Sequence, residues 1–197
     1  MPGRPFEEAQ REQGQAVRRL EEFAQGSISP AVHTPSSLPS LVAGLVLLAG
    51  PAFAGCNDPP APGVEWRRCL LDASDLSGAD LSGAQLRDAS FQRATLSGAK
   101  LAGVEAVEAR FVSADLSGAD LSGAILRNVD FTRTNLQGAT LTGADLRRAT
   151  LFRADLTGAD LSGANLTGAN LSGAVLGGAR WTDGRRVCAA GSVGNCQ

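Results

Sequence analysis

The sequence predicts an all-β solenoid: a quadrilateral β-helix of nearly six coils, 20 residues per coil, with disulfide-bearing end caps. Three observations carry that expectation. From position 71 to position 181 an apolar residue recurs every fifth place without a slip; of 23 such positions 18 are Leu, three are Phe, one is Trp181 and one is Ala106. Two residues before each stands Ala in 18 of the 23 units, and the exceptions (Cys69, Ser74, Val104, Val129, Thr134) include nothing large. Sorting the central positions by four then puts Phe91, Phe111 and Phe131 in one column, on consecutive coils.

A period of five suits no ordinary element. In an α-helix each step would advance the side chain about 140° past a full turn, and the leucines would form no stripe. In a flat strand an odd step sends alternate leucines to opposite faces. A chain that turns after every quintet instead points each leucine at a common axis. Four turns close a square, and successive squares stack at about 4.8 Å. Leu then fills the axis, Ala points inward where little room remains, and Gly at the last place of many units (Gly78, Gly83, Gly98, Gly118 and others) tolerates the positive φ of a corner. Ser, Thr, Asp and Asn take the outward places, where short polar groups bond to turns.

The remaining elements follow in chain order. Residues 1–30 read as a polar tail, disordered or preceding the true start of translation. Residues 31–54 read as a signal peptide or anchor. The apolar run Leu41–Leu48 is shorter than the roughly 20 residues of a membrane span, and it ends in Ala52-Phe53-Ala54, an A-x-A cleavage pattern. Phe53-Ala54-Gly55-Cys56 also looks like a lipoprotein box. Membrane attachment is therefore expected only if the leader is uncleaved or Cys56 carries lipid. Residues 55–70 form an N-terminal cap, 71–181 the β-helix, and 182–197 a C-terminal cap. Each cap holds two cysteines, and the two ends lie too far apart for a disulfide, so the pairing is Cys56 with Cys69 and Cys188 with Cys196. Two cystines point to an oxidising compartment, periplasmic or secreted.

The tandem A-[DN]-L-x-x units of residues 71–181 resemble the pentapeptide-repeat family. The resemblance implies a right-handed hand for the coil. It also brings a function into view, because some relatives are understood to mimic duplex DNA and protect bacterial DNA gyrase from quinolones. That role needs an acidic rod. From Cys56 onward there are 14 basic and 15 acidic residues, close to neutrality, which disfavours a DNA mimic.

No catalytic, cofactor or metal site is legible. The one histidine, His33, lies in the leader; the cysteines are expected to be oxidised; and no base partners the serines. Asp75, Asp115 and Asp155 share one column and Asp80, Asp120 and Asp160 the next, on alternate layers, which reads as a solvated wall. Arginines cluster more. Arg87, Arg127 and Arg147 form one column and Arg93, Arg133 and Arg153 another, with Asp88, Glu108, Asp130 and Asp145 near enough to neutralise them. These six arginines are the expected interaction surface. The expected function is an exported, non-enzymatic scaffold for an unidentified protein partner, with no cofactor and no nucleic acid, and with self-association through coil ends as a further route. An envelope-anchored spacer is the alternative.

Overall fold

The computed structural model describes residues 55–197, so the polar tail (1–30) and the leader (31–54) lie outside the described residues. The chain winds as a square coil. Parallel β-bridges join residues 20 apart, from Glu65 with Gln85 through Asp160 with Arg180, one bridging residue per side of each square. The sequence puts the start of the coil at position 71, whereas the first rung is Glu65. Trp66, buried in the place a leucine takes in later coils, extends the ladder into the segment read as a cap. Its indole nitrogen is buried and has no hydrogen-bond partner among the described residues. The four sides are numbered here by their central residues: Leu86, Leu126 and Leu146 on the first, Phe91 and Leu151 on the second, Leu96 on the third, Leu101 on the fourth.

One unit shows how the backbone is satisfied. The amides of Leu96 and Gly98 donate up to the carbonyls of Asp115 and Ser117 at 2.7 and 2.8 Å, while the amide of Thr95 donates down to Ser74 at 2.9 Å. Within the unit, the Ala99 amide donates to the Leu96 carbonyl at 3.1 Å, closing a four-residue turn. Positive φ at the third residue of that turn is the type II signature, which favours Gly. The third and fourth sides place Gly there in every unit from Gly78 to Gly178. On the first and second sides ten non-glycine residues, from Arg68 to Arg153, adopt the same conformation with φ between 55° and 63°.

Inside, the leucines and alanines of the central coils are almost wholly buried, while Leu71, Leu166 and Leu171 near the ends are partly exposed. Phe91, Phe111 and Phe131 stack along the axis with ring centroids 4.9 and 5.3 Å apart. Thr134 stands where most units have Ala, and its buried hydroxyl donates to the Phe111 carbonyl at 2.6 Å. At Ala106 the missing leucine is compensated locally: Val104 is buried, and Val107 in an outward place is only 6% exposed.

The ends are closed unequally. Cys56 and Cys69 are joined at one end, and Cys188 and Cys196 at the other. The C-terminal segment returns antiparallel over the last coil, bridging Val193 to Val175 and Val187 to Arg180. It covers the third and fourth sides alone. On the first and second, the amides of Leu166, Gly168, Leu171 and Gly173 have no backbone acceptor among the described residues.

Candidate interaction surface

The outward aspartates are committed to the turns. Asp75, Asp80 and Asp160 each accept from the backbone amide and the hydroxyl of the serine two residues on. Those hydroxyls, with the amides second, hold the three carboxyls below the usual carboxylate range. Asp80 and Asp160 also face cations one layer up, Lys100 at 3.5 Å and Arg180 at 3.7 Å. Asn135 donates to Asp115 at 2.9 Å, so an amide stands between layers that carry acids. Among the described residues, no group of three or more His, Cys, Asp or Glu side chains is placed to hold a metal ion.

The arginines divide into two sets with different surroundings. On the first side Arg87 pairs with Glu105 at 2.5 Å. The neutralising groups expected from sequence are thus in part replaced: Glu105, a bridging residue, takes the place foreseen for Asp88 or Glu108. Among the described residues Asp88 approaches one cation, Arg68, at 4.0 Å. Asp145 serves two cations. It accepts from Nε and Nη2 of Arg147 at 2.8 and 2.7 Å, and Nε of Arg127 stands 3.7 Å away. The Arg147 hydrogen bond, opposed by partial burial, holds the Asp145 carboxyl below its ordinary value.

On the second side Arg93, Arg133 and Arg153 have no carboxylate within 4.0 Å among the described residues. All three sit at positive φ. Arg153 lies over the ring of Phe152, 5.0 Å from its centre. Its Cγ occupies the space a Cβ at Gly173 would need, 3.2 Å away, so that glycine leaves room for the arginine one layer below.

The two columns do not form one site. A groove of about 450 Å³ opens on the first side instead, lined by Val107, Arg127, Asn128, Arg147, Arg148 and Thr167. Arg127 and Arg147 were legible from the sequence; Arg148 and Asn128 were not singled out. The signal for Arg148 was available, since sorting the last place of each unit by 20 residues aligns Arg68, Asp88, Glu108, Asn128 and Arg148.

The family description "Pentapeptide repeats" matches in eight copies over residues 69–105, 109–148 and 144–182. The chain belongs to the pentapeptide-repeat family. Members of this family form right-handed quadrilateral β-helices and are generally non-catalytic. Three solved pentapeptide-repeat proteins illustrate the similarity. HetL, involved in heterocyst differentiation regulation in Nostoc sp. strain PCC 7120, is 32% identical, over 62% of this chain and 68% of its own, with a TM-score of 0.26. A protein of the Arabidopsis thaliana thylakoid lumen is 30% identical, over 66% and 85%, with a TM-score of 0.22. QnrB1, a plasmid-mediated fluoroquinolone resistance protein, is 22% identical, over 66% and 84%, with a TM-score of 0.29. No curated protein matches this chain.

Proposed function

We propose that this chain is an exported scaffold, periplasmic or secreted, whose rigid walls serve protein contact rather than catalysis. The observation that carries the reading is the cystine at each end of the coil, Cys56–Cys69 and Cys188–Cys196. Such bonds persist in oxidising compartments, and the first of them begins two residues after the A-x-A pattern at Ala52-Phe53-Ala54. A solenoid offers an extended surface built from repeats, the form in which such proteins commonly meet partners. The described residues contain no histidine and no free thiol, so they offer neither a Ser–His nor a Cys–His pair.

The alternative, a lipid-anchored spacer, needs the Cys56 sulfur, which the bond to Cys69 consumes. Gyrase protection by DNA mimicry is disfavoured by a segment 56–197 with 14 basic and 15 acidic residues and by the expected export. Mass spectrometry of the non-reduced product from a secreting host tests the reading. A mature N-terminus at Gly55 and two cystines are expected. A retained leader with four free thiols overturns it. A supercoiling assay with added quinolone checks the gyrase reading, and no protection is expected.

A further inference from the structure

We infer that the groove on the first side is the docking point for an acidic segment of a protein partner, its carboxylates held by Arg127 and Arg148 over the floor made by Val107. This inference rests on the scaffold reading and names the partner's chemistry.

The groove exists because the arginine column is interrupted. Arg67, Arg87, Arg127 and Arg147 occupy equivalent outward places, and Val107 stands in the middle of that run. Val107 is buried where an arginine would project, leaving an apolar floor below Arg127. Three arginines line the depression, and two of them, Arg127 and Arg147, share the carboxylate of Asp145. Arg148 has no carboxylate within 4.0 Å among the described residues. The local surplus is therefore positive.

Asp145 shows how a carboxylate sits here, accepting side-on from two nitrogens of Arg147 with Arg127 alongside. Fork-on-fork pairing of this kind is the strong, oriented form of the arginine–carboxylate contact. The apolar floor suits the methylenes of a glutamate. The whole rod favours approach from this direction. Of the 12 basic residues between 64 and 183, ten lie on the first and second sides; the third side has none and carries Asp75, Asp115 and Asp155. An acidic segment is thus drawn to one half of the surface and repelled from the other.

The test uses the full chain with its disulfides intact and a fluorescent hexaglutamate peptide at low ionic strength, read by anisotropy. Arg127→Ser with Arg148→Asn should weaken binding by about tenfold or more, as loss of a central charged anchor does. Asn suits the positive φ at 148 and already stands at Asn128 in the same column. Lys100→Ser, on the fourth side, should change nothing. Asp145→Asn frees two guanidiniums and should tighten binding several-fold, a gain that misfolding would not produce. Absence of hexaglutamate binding, equal binding by the double variant, or weakening by Asp145→Asn overturns the proposal. So does tighter binding of a short single-stranded DNA of equal charge, which would mark a general phosphate site. If the groove fails while the rod still binds a partner through another wall, the scaffold reading stands alone.

Discussion

Replacing Phe111 by Leu separates aromatic stacking from simple filling of the axis. Leu is the residue at the same place in other coils (Leu71, Leu151, Leu171), so the substitution fits the column. Phe111 is fully buried and has a ring on either side, at 4.9 and 5.3 Å, whereas Phe91 has one aromatic neighbour among the described residues. An aromatic pair contributes about 0.5–1.5 kcal/mol beyond burial, and the smaller side chain loses about 0.8 kcal/mol per CH₂ of apolar surface. With three fewer carbons and two lost pairs, Phe111→Leu should therefore cost about 3–5 kcal/mol. It should cost more than Phe91→Leu by about one pair, 0.5–1.5 kcal/mol. Guanidinium unfolding followed by circular dichroism and by the fluorescence of buried Trp66 reads both values, provided the denaturant slope is unchanged between variants. Equal losses for the two variants would show that stacking adds nothing to burial here, and the energetic account of the phenylalanine column would fail.

Three other outcomes are expected. Gly118 has φ of 63°, and nothing lies within 4 Å of the point a methyl group would occupy there, so Gly118→Ala carries a purely conformational cost of about 1 kcal/mol; Ser113→Gly, at φ 57°, should move stability the other way, and thermal melts of both check the sign. Reduction of the cystines should lower the unfolding midpoint, each contributing about 2.5–3 kcal/mol for loops of 13 and 8 residues of separation, with hydrogen exchange rising first at the caps. Lowered carboxyls at Asp75, Asp80 and Asp160 contribute stability that is complete above the unfolded value near 3.8 and lost as pH falls through their lower folded values. The melting midpoint should hold from pH 7 to about 5 and drop below about 4, and an unchanged midpoint at about pH 3 would contradict it.

The coil was legible because its cause is local and repeated. A leucine every fifth place admits one geometry, and Phe91, Phe111 and Phe131 gave its register. What escaped the sequence depends on contacts between layers. Arg93 and Arg133 occupy a corner conformation that suits Gly, and nothing in their chemistry announces it; only their place in the quintet does. Glu105 reaches Arg87 because a bridging residue sits beside the arginine of the coil below, which outranks nearness along the chain. The antiparallel return of the tail onto Val175 and Arg180 has no periodic signature at all.

The 20-residue register also constrains how such a chain can change length. Gain or loss of a single quintet would leave every leucine on the axis, yet it would swing all later walls by a quarter turn. Arg127, Arg147 and Arg148 would then align with a different flank from Arg87, and the phenylalanine column would be cut. Interior chemistry tolerates steps of five, while the pattern on the outside survives only steps of 20.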